Sequence, residues 1–273
     1  MVRLGYDGTG FAGWARQPGL RTVEGTLREA LADLHVAEGG EAGGLEVASR
    51  TDRGVSARGN AIAVRSPLTG PQLLRALNGV SPELFATAAA PVSDEFRVRH
   101  AVRRRYRYFE ARRGVHVARR RKAALRFAGP VDARSFGRGI PPDFPDPIPV
   151  ESVSVAERPG GIVTEVCAPS FVWGMVRKIV GALREYDAGR LTLARLDDAI
   201  RGRTILTLPL AEPEPLVLWE VEFATSWVYR WAGPNRHQAA RWRSVEDQLW
   251  VRREVLRSLS RERPGRGRGV PST

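Results

Sequence analysis

The sequence predicts an α+β fold in which two ferredoxin- or RRM-like halves share one mostly antiparallel sheet around a basic cleft. Three observations predict it. From Val2 to Val92 the pattern runs β-α-β-β-α-β, the order of a ferredoxin-like unit. The following stretch is again strand-rich but looser, and nowhere carries the βαβαβ rhythm of a doubly wound sheet. Between Arg97 and Arg126 thirteen Arg and Lys residues stand against one acid, Glu110, so positive charge is concentrated rather than spread. The chain divides accordingly into an N-terminal half at 1–100, a C-terminal half at 101–225 and a Trp/Arg-rich extension at 226–273.

In chain order, residues 2–7 alternate as a strand and run into a Gly-rich loop. Apolar residues then recur at helical spacing (Val23, Leu27, Ala30, Leu31, Leu34), with Thr22 placed to cap the helix. Strands follow at 45–48 and 60–65, a short helix at 71–77 and a strand at 84–92. In the second half, 106–111 reads as a strand and 132–136 opens a short helix. Five prolines within 139–149 demand an extended loop. A hairpin spans 150–156 and 162–168, turning at Pro159-Gly160-Gly161. Helices at 171–185 and 192–200 and a strand at 216–223 complete this half. Beyond it Trp227, Trp231, Trp242 and Trp250 lie among arginines. Residues 238–260 form an amphipathic pattern, and 263–269 are too rich in Gly and Pro to fold.

Composition excludes several kinds of chemistry. Cys167 is the only cysteine, which rules out intrachain disulfides and cysteine-based zinc sites. The four histidines (His35, His100, His116, His237) show no ligand spacing. No apolar run reaches the roughly 18–20 residues of a membrane helix, and the N-terminus lacks the apolar segment of a signal peptide, so a cytoplasmic protein with no membrane partner is expected. The net charge is +13, with Lys122 and Lys178 the only lysines. A GC-rich genome explains arginine over lysine, but not base over acid; a polyanionic partner such as nucleic acid does. Phe96, Tyr106, Tyr108, Phe109 and Phe127 interleave with the Arg97–Arg126 run, combining phosphate contacts with stacking platforms, the ingredients of RNA binding.

Among catalytic candidates, Gly8, Gly10 and Gly13 formally match G-x-G-x-x-G. Pro18-Gly19 intervenes and the helix begins only near Val23, so no helix N-terminus is available for a pyrophosphate. The segment reads instead as a flexible loop exposing Phe11, Trp14 and Arg16. No nucleophile elbow is present, and the acid pairs Asp197-Asp198 and Glu246-Asp247 read as solvated helix surface. Asp52 remains, in a loop flanked by strands and by Arg50 and Arg53. Taken alone, the string reads as a turn with a surface ion pair. The helix carrying Arg177 alters that balance: the segment is largely apolar, and Gly174 and Gly181 on the same face let another backbone approach. A desolvated arginine requires an anion, and Asp52 is the economical partner; an arginine snorkelling from a surface helix is the alternative.

The strings YDGTGFAGWARQPGLRTVEGTLREAL, ASRTDRGVSA, FRVRHAVRRRYRYF, SFVWGMVRKIVGAL and PLAEPEPLVLWEVEF, in this order over about residues 2–223, resemble the TruA family of tRNA pseudouridine synthases. The resemblance implies the pseudouridine synthase fold, a homodimer binding tRNA, and isomerisation of uridine to pseudouridine in the anticodon stem-loop, at positions 38–40, without cofactor or metal. It assigns Asp52 as the catalytic aspartate, Arg50 as the residue that helps extrude the target nucleotide, Tyr106 as the tyrosine stacking on the flipped base and Arg177 as the counter-ion of Asp52. Arg16, Arg53, Arg103, Arg104, Arg105, Arg107 and Lys178 are the expected RNA contacts. Departures are Ser56 where the family often has histidine, Phe96-Arg97-Val98-Arg99 for F-H-A-R, a reduced motif at 130–136 and Pro215-Leu216 for Gly-Leu. A non-catalytic RNA-binding module with the same surface is the alternative reading.

Overall fold

Strand β1 (Val2–Tyr6) buries all but one of its residues, because both of its edges are paired and Val2, Leu4 and Tyr6 enter the apolar core. In the computed structural model it lies between β3 (Ser56–Ala63) and β4 (Leu84–Ala89), antiparallel to both. The structure describes residues 1–33, 44–80, 83–144, 147–230 and 236–261. Residues Met1–Ala232 form one compact unit and Gly233–Thr273 a second.

Helix α1 (Val23–Asp33) buries Val23, Leu27, Ala30 and Leu31, and the Thr22 hydroxyl accepts from the Gly25 N–H at its start. Leu34, the next apolar position of that pattern, lies outside the described residues. The short β2 (Glu46–Val47) pairs with β3, and α2 (Gly70–Val80) packs on β4. The second half contributes β5 (Arg103–Ala111), α3 (Val117–Ala124), the small antiparallel pair β6 (Gly129–Val131) and β7 (Ile148–Val150) around α4 (Ala133–Phe136), and the hairpin of β8 (Ser152–Arg158) and β9 (Gly161–Ala168). Then come α5 (Met175–Asp187), α6 (Leu193–Ile200) capped by the Thr192 hydroxyl, β10 (Leu216–Glu222) and β11 (Tyr229–Arg230).

The strand order is β11-β4-β1-β3-β10-β5-β9-β8, with β2 beside β3. Every pairing is antiparallel except β3 with β10, where Ser56 faces Val217 and Ala57 faces Leu218. That one parallel junction joins the strands of the two sequence halves into a continuous sheet. It also sets the N-terminal ends of β3 and β10 side by side, so the loops leading into them emerge at the same edge. A single apolar cluster runs beneath the sheet and includes Trp14, Tyr108, Phe127 and Phe136, all essentially without exposure. Burying each such side chain stabilises the fold by roughly 1.5–3 kcal/mol.

Several sequence expectations change here. Of the residues expected to be exposed on the Gly-rich loop, Phe11 and Trp14 are core residues and only Arg16 faces solvent. The loop's glycines serve close packing instead. A Cβ on Gly8 would sit 2.3 Å from the Val55 carbonyl oxygen, and Gly13, at φ +115°, lies against the backbone of residues 51–53. The helix expected from residue 171 starts at Met175. Gly174 is its N-cap in the left-handed conformation (φ +76°), not a small residue on the helical face. Gly181 does act as a seam, since a Cβ there would meet the Pro209 carbonyl oxygen at 2.0 Å. Of the Pro-rich loop, 148–150 form β7 and residues 145–146 lie outside the described residues.

In the second unit the described residues include one helix, α7 (Arg236–Arg261), slightly longer than the expected 238–260. Its Leu249, Trp250, Val251, Val255 and Leu256 are more than half exposed. Trp231 and the basic end at 263–269 lie outside the described residues. Among the described residues no helix is long and apolar enough to cross a membrane.

Candidate active site

The loop carrying Asp52 runs from the end of β2 into β3. The Val55 N–H donates to the Asp52 carbonyl at 3.1 Å, closing a turn that places Gly54 at φ +81°. The loop is fastened from below. The Trp14 N–H donates to the Thr51 carbonyl at 3.0 Å, the Thr51 and Tyr6 hydroxyls share a 2.8 Å hydrogen bond, and Asn60 Nδ2 donates to the Ser49 carbonyl at 2.8 Å. Since Thr51, Ser49, Tyr6 and Asn60 are all buried, the Asp52 backbone is held by the core while its side chain remains partly open.

The first turn of α5 supplies the counter-ion. Arg177 Nη1 donates to Asp52 Oδ2 at 2.7 Å, with side-chain exposures of 11% for the arginine and 24% for the aspartate. Arg177 is itself clasped: its Nε donates to the Ala211 carbonyl at 2.6 Å, and the Ala211 N–H donates back to the Arg177 carbonyl at 3.3 Å. The second carboxylate oxygen, Oδ1, accepts from Trp173 Nε1 at 2.8 Å. Asp52 thus uses both oxygens as acceptors, as an ionised carboxylate does. Trp173 was not singled out from the sequence, where an aromatic beside an apolar helix reads as core.

These groups line a cavity of about 900 Å³ together with Arg50, Arg53, Arg104, Tyr106, Arg138, Phe171 and the segment around Glu214. Its volume is within the range that admits a nucleoside-sized ligand. Tyr106 is buried, with its ring 5.3 Å from that of Phe171 in an edge-to-face arrangement. Burial pushes its phenol up to about 12, and the neighbouring Ser49 hydroxyl offsets part of that shift. The phenol is therefore neutral at physiological pH, a hydrogen-bond donor and not a base. Arg50 and Arg53 are exposed where they line the cavity, and Arg16 is exposed on the adjoining loop.

The arginine strip on β5 divides into two faces, because side chains alternate along a strand. Arg103, Arg105 and Arg107 share one face and are matched by acids on neighbouring strands. Arg103 pairs with Glu222 at 3.1 Å and with Glu151, Arg105 with Glu222 at 3.0 Å, and Arg107 with Glu165 at 2.6 Å. Arg107 also stacks 3.9 Å from the Trp219 ring centroid. Arg104 points the other way and is 8% exposed, donating to the carbonyls of Ala48 at 2.9 Å and Arg99 at 2.7 Å, to Ser49 Oγ at 3.0 Å and to the Pro169 carbonyl. It is an internal strut beneath the Asp52 loop, and the phosphate contact expected of it does not fit these bonds. Lys178 is similarly spent: its Nζ donates to the carbonyls of Gly137 at 2.7 Å and Ser135 at 3.3 Å, and burial lowers its pKa. The sequence signal that separates Arg104 from Arg103, Arg105 and Arg107 is the period-two alternation within R-R-R-Y-R-Y.

Among the described residues, no group of three or more His, Cys, Asp or Glu side chains is arranged to hold a metal ion. Residues 123–224 match the family model described as tRNA pseudouridine synthase. A tRNA pseudouridine synthase A of Thermococcus kodakarensis is 39% identical over 226 residues, covering 81% of this chain and 84% of that protein. Those of Thermococcus gammatolerans and Natronomonas pharaonis are 36% and 37% identical, each again covering 81% of this chain and 84% of the relative. With the mostly antiparallel sheet and the shared length of sequence, the chain belongs to the TruA family of tRNA pseudouridine synthases.

Proposed function

We propose that the protein isomerises uridine to pseudouridine in the anticodon stem-loop of tRNA, at positions 38–40, with Asp52 as the nucleophile. The observation that carries this reading is the Asp52 carboxylate, paired at 2.7 Å with the clasped Arg177 in a nucleoside-sized cavity beside Tyr106. An oxygen of Asp52 attacks either the uracil ring or the ribose C1′. On either route the N1–C1′ bond breaks, the base turns, a C5–C1′ bond forms, and the bond to Asp52 breaks to return the free carboxylate. The proton leaves C5 and N1 gains one, so the product is an isomer and no external redox partner is consumed.

The other residues take their parts from position and chemistry. Arg177 holds the nucleophile in place and keeps its charge compensated where water is scarce. Tyr106 offers a ring and a neutral hydroxyl to the extruded base. Arg50, exposed at the cavity, is suited to displacing the target nucleotide, since base chemistry within a helical stem requires extrusion. Arg16 and Arg53 remain exposed to face phosphates. The enzyme works in the cytoplasm as a homodimer in this reading, as the TruA resemblance implies.

The test is pseudouridine mapping of tRNA incubated with wild-type protein and with Asp52→Asn. Conversion at the anticodon stem-loop by the wild type, with none by the variant, is expected. An unaltered yield from Asp52→Asn removes the aspartate from the mechanism, and conversion only elsewhere in the tRNA removes the assigned positions.

A further inference from the structure

We infer that Trp173 is a further catalytic residue, whose indole N–H holds the second oxygen of Asp52 and so fixes the plane of the attacking carboxylate. The inference rests on Asp52 being the nucleophile. A carboxylate torsion is broad and roughly two-fold, so one anchored oxygen leaves the group free to swing about that anchor. Arg177 holds Oδ2 at 2.7 Å and Trp173 holds Oδ1 at 2.8 Å, which removes that freedom before any substrate arrives. Reacting groups held in an attack-ready geometry gain large rate factors.

The surroundings of Trp173 fit this role better than a packing role. The residue is 56% exposed, so burial of its ring does not explain its position. Its only polar atom is spent on Asp52. The Arg138 guanidinium lies 4.0 Å from the ring centroid, and the Arg138 N–H donates to the Trp173 carbonyl at 2.8 Å. A cation stacked on an exposed indole steadies the ring without burying it. Indole donates and never accepts, as guanidinium does, so neither partner of Asp52 competes with it for a proton. Trp173 touches the reacting carboxylate directly, and Arg138 acts through it as a positioning residue.

The experiment compares the full-length wild type, Trp173→Phe, Trp173→His and Asp52→Asn. It measures single-turnover pseudouridine formation with enzyme in excess, tRNA affinity by filter binding, and thermal unfolding. Trp173→Phe keeps a ring and loses the donor. It is expected to slow the single-turnover step roughly 10- to 100-fold, the range of a hydrogen bond to a charged group, with tRNA affinity and unfolding temperature unchanged. Trp173→His, which restores a ring N–H, is expected to recover several-fold over Trp173→Phe. Wild-type turnover by Trp173→Phe beside an inactive Asp52→Asn overturns the inference and leaves the nucleophile standing. An active Asp52→Asn overturns the nucleophile, and this inference with it. A loss confined to tRNA affinity, or a His variant no faster than Phe, also overturns it.

Discussion

Arg177→Ala isolates the ion pair on which the proposed chemistry depends. In the structure the guanidinium is 11% exposed and the carboxylate 24%, at a separation of 2.7 Å. Two unit charges about 4 Å apart at an effective dielectric near 20 attract by about 4 kcal/mol. Removing one partner of a fully buried pair costs about 3–5 kcal/mol. Asp52 is a quarter exposed, so water recovers part of this once the arginine is gone, leaving about 2–3 kcal/mol. If re-aligning the released carboxylate for attack costs that much on the way to the barrier, turnover falls by about 30- to 150-fold. Arg177→Lys restores charge but cannot both donate to Ala211 and reach Oδ2 with a planar fork, so only partial recovery is expected. The assay is single-turnover conversion with enzyme in excess over tRNA, beside a separate measurement of tRNA affinity. Wild-type single-turnover rates in Arg177→Ala, or a deficit wholly explained by weaker tRNA binding, would refute the reasoning.

Two further outcomes concern the scaffold. The Glu110 side chain is 8% exposed and pairs with Arg120 at 2.6 Å and Arg184 at 2.9 Å, each of which also has a second acid (Asp187 and Glu212), so Glu110→Gln weakens both pairs without orphaning either arginine and is expected to lower stability by about 1–3 kcal/mol, read from urea denaturation; a change under about 0.5 kcal/mol would contradict this. Tyr106 has a phenol raised to about 12, so the folded state retains a proton that the unfolded state releases near 10; its contribution to stability is intact below about 10 and lost as pH rises toward about 12. Ultraviolet difference titration of wild type against Tyr106→Phe should show the missing phenol ionising near 12, and a difference centred at 10 would show that burial does not govern this residue.

Local patterns in the sequence carried some elements far and others not at all. The helix at Val23 with its Thr22 cap, the helix at Leu193 with its Thr192 cap and the hairpin turning at Pro159-Gly160 depend on short-range periodicity and capping chemistry, and each forms within two residues of expectation. Helix α3 gives no sequence signal, because VARRRKAA has almost no apolar stripe. It is held instead by Arg120, which is buried against Glu110 and Asp187 from other elements. Helix α5 starts four residues later than its apolar run predicts, because nothing in that run marks a boundary until Gly174 takes a left-handed conformation.

The sequence by itself determined the chemistry on offer: one carboxylate in a loop between two arginines, an arginine in an apolar helix, a tyrosine among arginines, and a strong positive charge seeking a polyanion. It determined the α+β class as well, since alternation and helical spacing are local. Only the tertiary structure decided which arginines are spent. Arg104 and Lys178 turn inward to carbonyls and Arg103, Arg105 and Arg107 meet glutamates across the sheet, pairings set by strand register between distant segments. It alone brought Trp173 to Asp52, 121 residues away, through the parallel junction of β3 and β10 and the seating of α5 beside it. The string around Asp52 reads as a stapled turn because its near neighbours Arg50 and Arg53 are the visible partners. The fold leaves both at the cavity surface and pairs the carboxylate with residues that no local window contains.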